Sequence, residues 1–168
     1  VLFEAEGSHR IRDILFFKGV FYIATRDGVY QTNNFKSFRL QEKTYGWSVS
    51  DLEIYKNQIC ITTYQDGIHL YNPADQQFFE IKLDKELNLA SSFADEQGKL
   101  WIAAAEGVLQ YENGKVRLIN DEKGIPRAGI NRVFQDDEQN IWVGSAGKGL
   151  ICFSGEQFVH HNQSTGLP

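Results

Sequence analysis

The chain has 168 residues, 22 acidic against 17 basic side chains for a net charge of −5, and 42% hydrophobic residues. That hydrophobic fraction supports a packed core and excludes global disorder, while the scattered Lys and Arg exclude the concentrated basic face that a nucleic acid requires. No apolar run reaches the roughly 20 residues of a membrane-spanning helix, and the opening "VLFEAEGSHR" has neither the basic nor the apolar region of a signal peptide. With no initiator Met, the sequence reads as a piece of a longer protein.

Taken in chain order, the elements repeat. A first apolar run at residues 11–17 is followed by the turn "KG" and then by "FYIATRDGVYQ" at 21–31. The next run, at 49–55, is followed by "KN" and "ICITTYQDGIHLY" at 59–71. A third, at 89–94, leads through an acidic turn to "LWIAAAEGVLQY" at 100–111, and a fourth, at 130–135, leads through "DDEQN" to "IWVGSAGKGLICF" at 141–153. The glycine opening each later apolar run is Gly28, Gly67, Gly107 or Gly149, at spacings of 39, 40 and 42. The residue near the start of the preceding run is Tyr22, Cys60, Trp101 or Trp142, at spacings of 38, 41 and 41. Short runs rich in β-branched and aromatic residues, bounded by Gly, Asn and Asp, predict hairpins. Each repeat reads as four strands, with "KG" and "KN" as tight two-residue turns. "GSAGKGL" is then a strand–turn–strand: a phosphate loop needs Gly-Lys-Ser/Thr opening a helix, whereas Lys148 is followed by Gly149 and a strand.

Four strands per roughly 40 residues in tandem predict an all-β protein of β-propeller blades, about four of them, four-stranded and antiparallel. The expected boundaries are 11–47, 48–88, 89–127 and 128–168, with residues 1–10 as the tail of a preceding blade. Because such rings usually carry about six to eight blades, the chain is expected to be part of a larger ring. Open ends would leave unpaired edges or uncovered blade faces, so self-association is expected of an isolated fragment.

Segments 131–153 and 91–111 resemble the two-component regulator propeller repeat, with its Asp-containing turn, its Leu/Ile-Trp-Ile/Val strand and its Gly-Leu step. "KGIP" at 123–126 and "STGLP" at 164–168 resemble the step leading to the next blade. Repeats one and two depart from the pattern: they have Tyr22 and Cys60 in place of Trp and lack the Asp turn. The Gly-His and Trp-Asp dipeptides of WD repeats and the paired glycines of kelch repeats are absent.

Few residues suggest chemistry. His160 and His161 are adjacent on a strand and point to opposite faces, a poor arrangement for joint metal ligation. The carboxylates cluster in turns, where solvated turn formation is their ordinary role. No Ser/His/Asp set has a recognisable spacing, so no catalytic residue, metal site or cofactor is assigned. Cys60 and Cys152, in apolar strand-like runs of different repeats, are expected to be reduced and buried. Trp101 and Trp142 are expected in the core at matching positions, with Trp47 more exposed. Binding is the better expectation. The loops from second to third strand (26–27, 64–66, 106, 146–148) should share one face with the connections between blades (45–47, 87–88, 127, 166–168). Trp47, Tyr45 and Tyr64 supply aromatic platforms there, and Arg26 and Arg127 supply forked donors. This mixture suits a polar small molecule or a glycan.

A propeller by itself specifies no activity. The resemblance implies a bacterial membrane-anchored sensor whose propeller lies outside the cytoplasmic membrane, in the periplasm, with a histidine kinase or diguanylate cyclase elsewhere in the parent chain. The segment itself would then be no enzyme and would signal by binding. A protein-docking or structural propeller is the alternative, and a propeller enzyme such as a lyase or glycosidase the third reading. Aromatic loops converging on one mouth would favour a ligand site, and dispersed ones a docking surface.

Overall fold

The tight turns set the hairpins. In the computed structural model, which describes residues 10–121, 124–125, 128–154 and 158–166, both Lys18 and Gly19 have positive φ (50° and 81°), as do Lys56 and Asn57 (46° and 63°) and Asn113 and Gly114 (50° and 78°). Two consecutive residues of positive φ match the right-handed twist of the strands they join, which is why two-residue hairpins favour them.

Among the described residues, sixteen strands form four antiparallel sheets, each of four strands in chain order. The first holds β1 (Asp13–Phe17), β2 (Val20–Thr25), β3 (Gly28–Thr32) and β4 (Arg39–Leu40). The second holds β5 (Val49–Tyr55), β6 (Gln58–Thr63), β7 (Ile68–Asn72) and β8 (Gln77–Ile81). The third holds β9 (Leu89–Ala94), β10 (Leu100–Ala104), β11 (Gly107–Glu112) and β12 (Lys115–Ile119). The fourth holds β13 (Ile130–Gln135), β14 (Ile141–Ser145), β15 (Gly149–Phe153) and β16 (Phe158–His161). Helix among the described residues is confined to short 3-10 turns such as Glu42–Thr44 and Gln163–Thr165.

The chain divides into two compact units, Val1–Ile81 and Lys82–Pro168, each containing two sheets. In the first unit, Tyr22, Ala24 and Val29 of sheet one pack with Val49, Leu52, Ile59, Ile61 and Tyr71 of sheet two. In the second, Trp101, Ala103, Val108 and Ile119 pack with Ile130, Val133, Ile141, Val143 and Ile151. Each unit thus buries a face that one sheet alone would leave in water, the main stabilising term for stacked repeats.

Two devices recur. The side chain ending the second strand donates its hydroxyl to the carbonyl of the glycine at, or just before, the start of the third: Thr25 to Gly28 (2.9 Å), Thr63 to Gly67 (2.9 Å) and Ser145 to Gly149 (2.8 Å). Sheet three has Ala104 there and forgoes the bond. At Gly107 and Gly149 a Cβ would lie 2.3 Å from the Ile119 carbonyl oxygen and 2.2 Å from that of His161, and both residues have positive φ. Only glycine satisfies both demands.

The second device explains the Asp turn. Asp95 Oδ1 accepts the Lys99 backbone N–H (2.8 Å) and its Oδ2 accepts the Trp101 indole N–H (2.8 Å). Asp136 repeats this, accepting from Asn140 N–H (2.7 Å) and from the Trp142 indole (2.6 Å). The indole holds the Asp136 carboxyl below the usual value of 3.8, with help from Asn140 and against a smaller opposing effect of burial. The turn's Asp and the strand's Trp are one unit, and repeats one and two lack both.

The two tryptophans differ in cover. Trp101 is buried as expected, but Trp142 is only half-buried. Sheet four packs over Trp101, whose ring lies 6.4 Å from that of Phe153, whereas Trp142 has Phe134 and His161 of its own sheet beside it. Cys60 and Cys152 are buried in β6 and β15, and burial, reinforced by the negative charge of Asp136, raises the Cys152 thiol pKa. His160 and His161 pair with Ile151 and Leu150, so they face opposite sides of β16.

Candidate functional site

At one end of the strands in the first unit three segments meet: the β2–β3 loop (Arg26, Asp27), the β6–β7 loop (Tyr64–Asp66) and the connection from β4 to β5. The connection is fixed from beneath. Thr44, fully buried, donates its hydroxyl to the Gln41 carbonyl (2.7 Å) and accepts the Val29 N–H (2.8 Å). Gly46 N–H then donates to Asp27 O (3.1 Å), and Tyr64 N–H to Ser48 O (2.9 Å). Ser48 N–H donates to Asp66 Oδ2 (3.3 Å). The second unit laces the corresponding loops likewise, through Ala105 N–H to Asn88 O (3.0 Å) and Ala146 N–H to Gly129 O (2.7 Å). Glu106 there pairs with Lys85. Backbone tethers of this kind hold loops in place while leaving their side chains available.

Four of the five residues expected to bind lie on this laced rim, and they differ in role. Tyr45 is 74% exposed, and Arg26 is exposed beside Asp27. Tyr64 is half-buried, with the Arg12 guanidinium 5.4 Å from its ring centre. Trp47 is turned into the packing: its ring stacks at 4.0 Å on His69 and lies edge-on to Phe78 at 6.1 Å. His69 in turn donates its ring Nε2–H to the Asp66 carbonyl (2.7 Å), so Trp47 props the β6–β7 loop from below. Arg127 lies outside the described residues. Sequence reasoning missed Arg12, which sits just before β1 and reaches Tyr64 only through the stacking of two sheets. No sequence signal marks it. Among the described residues no three His, Cys, Asp or Glu side chains gather as metal ligands would.

What this rim offers is aromatic faces, guanidinium groups and carboxylates at the loop ends of stacked sheets. Three solved structures share the architecture. The extracellular domain of a hybrid two-component system from B. thetaiotaomicron superposes on 95% of the chain with a TM-score of 0.78 at 19% identity. The extracellular domain of a one-component system from the same organism superposes on 96%, again at 0.78, with 16% identity. Virginiamycin B lyase from Staphylococcus aureus superposes on 95% at 0.77, with 10% identity. The sheets are β-propeller blades. At these identities the likeness establishes the fold alone. The chain spans 24% of the length of each B. thetaiotaomicron domain and 57% of the lyase. No protein-family model and no curated protein matches the sequence.

Proposed function

We propose that these blades belong to the ligand-sensing propeller of a bacterial membrane-anchored signalling protein, located outside the cytoplasmic membrane, and that they act by binding. The observation that carries this reading is the laced rim of the first unit, where backbone tethers fix the loops while Tyr45 and Arg26 stand free in solvent. The likeness to two extracellular domains of bacterial signalling systems supports it. The ligand is a polar small molecule or a glycan, held by stacking on Tyr45 and Tyr64 and by hydrogen bonds from Arg26. Trp47 contributes by holding the β6–β7 loop through His69. A signal would pass only if the ligand prefers one of two arrangements of the parent, because equal affinity shifts nothing.

The test is a titration of the chain against a panel of glycans and polar metabolites, repeated with Arg26→Ala/Tyr45→Ala/Tyr64→Ala. Binding that the triple change abolishes supports the reading. Binding that survives it refutes the site, and turnover of a bound compound refutes the non-enzymatic role in favour of a propeller enzyme, the class to which the lyase neighbour belongs.

A further inference from the structure

The opposite ends of the same strands form a second recess within the first unit. It lies between blades one and two, with a cavity of about 320 Å³. A neighbouring hollow of about 260 Å³ shares Val20, Gln31 and Arg39 with it. Register builds its wall: Tyr22 on β2 pairs with Gln31 on β3, which pairs with Arg39 on β4, so all three side chains stand on one face. Lys18 from the β1–β2 turn, Gln41 and Gln76 complete the polar lining, and Tyr71 of blade two faces Tyr22 with ring centres 6.4 Å apart.

Three features point to a ligand. The described residues lining the recess include two cations, Lys18 and Arg39, and no carboxylate. Neither cation has an ion-pair partner among the described residues. The one acid of the adjacent β7–β8 turn, Asp75, accepts the Gln77 N–H (3.0 Å) and does not line the recess. Gln31 buries its Nε2 with no hydrogen-bond partner among the described residues, although a buried amide donor is costly to leave unsatisfied. Three carboxamides, each able to donate and accept, match hydroxyl groups. We propose that this recess is a second binding site, distinct from the loop rim, for an anionic sugar: the acidic group pairs with Lys18 and Arg39, and the ring hydroxyls reach Gln31, Gln41 and Gln76. The volume suits one or two sugar rings. Tyr22, its pKa pushed up to about 12 by burial and by Tyr71, keeps its hydroxyl as a donor at any physiological pH.

The test is calorimetric titration of the 168-residue chain with D-glucuronate, glucose 6-sulfate and glucose. Binding of one or both anionic sugars is expected, at least about tenfold tighter than glucose and weakening as salt rises. Which of the two binds distinguishes a carboxylated from a sulfated ligand. Lys18→Gln and Arg39→Gln, both at exposed positions, should each weaken binding by about fivefold or more, Gln31→Leu should weaken it as well, and circular dichroism should confirm that every variant is folded. The rim variant Tyr45→Ala/Tyr64→Ala should leave it unchanged, which separates this site from the one proposed above. Failure of both anions to bind, equal binding of glucose, or full affinity in the Lys18 and Arg39 variants would overturn the proposal.

Discussion

The Asp–Trp pair of blade three permits a quantitative test. Asp95 is 7% exposed and Trp101 3% exposed, and they share one hydrogen bond in a dry setting. Replacing Asp95 with Ala removes a charged acceptor from the indole and a second acceptor from the Lys99 N–H. A bond to a charged group contributes about 1.5–3 kcal/mol, and an orphaned buried donor costs about 1–3 kcal/mol, two descriptions of largely the same loss. With the freed Lys99 amide reaching water, Asp95→Ala should cost about 2–4 kcal/mol. At a urea slope of about 2 kcal/mol/M, the midpoint of the unit's unfolding falls by roughly 1–2 M. Trp101→Phe removes the same bond from the other side while keeping an aromatic ring. The double-mutant cycle should therefore return a coupling of about 1.5–3 kcal/mol, followed by circular dichroism so that loss of the fluorophore does not enter. A coupling below about 0.5 kcal/mol would show that turn and strand are stabilised independently and would refute the reasoning.

Three further outcomes follow from the same geometry. The Asp136 pKa is held below 3.8 chiefly by the Trp142 indole, so the stability it contributes is present above pH 3.8 and is lost as pH falls through its lower folded value. The thermal midpoint gap between wild type and Trp142→Phe should accordingly narrow in acid, and a gap independent of pH would exclude the linkage. Gly107→Ala meets both a positive φ and a carbonyl oxygen at 2.3 Å, whereas Gly67→Ala meets positive φ in open space. The latter should cost about 1–2 kcal/mol and the former clearly more, which urea melts of the two variants will rank. Spectrophotometric titration should show one tyrosine ionising only near pH 12, and Tyr22→Phe should remove that step.

The fold was legible in the sequence because the repeat is written in local terms. Positive-φ turns at Lys18–Gly19 and Lys56–Asn57 act between adjacent strands, and the glycines at a spacing of about 40 recur once per blade, so both leave a mark in the residues themselves. The bulges did not. Ser50, Ala90 and Asn131 each interrupt the register of a first strand at the same place, yet they share no chemistry that would mark them. The Asp turn and the Trp were visible as a pattern, but their hydrogen bond was not. Half-burial of Trp142 was also hidden, because cover depends on which blade packs next and not on the strand that carries the residue.

The site divides along the same line. Arg26 and Tyr45 stand in solvent because their loops are short and anchored by backbone bonds, and loop position could be inferred from strand order. Trp47 shows the limit of that inference. In sequence it is an aromatic residue among polar loop neighbours, the usual mark of a binding platform. In space it stacks on His69, 22 positions away, because the connection from β4 to β5 folds back over blade two. Replacing Trp47 with Ala should therefore disturb the β6–β7 loop through His69 and Asp66 before it disturbs any direct contact. Replacing Tyr45, which is 74% exposed, should affect ligand alone. Comparing the urea midpoints of Trp47→Ala and Tyr45→Ala separates the two roles. A large drop for the first with none for the second is the expected result, since removing a packed indole costs about 3–5 kcal/mol in a full core and removing a solvated ring costs little. Equal stability in both would return Trp47 to the ligand's side of the rim.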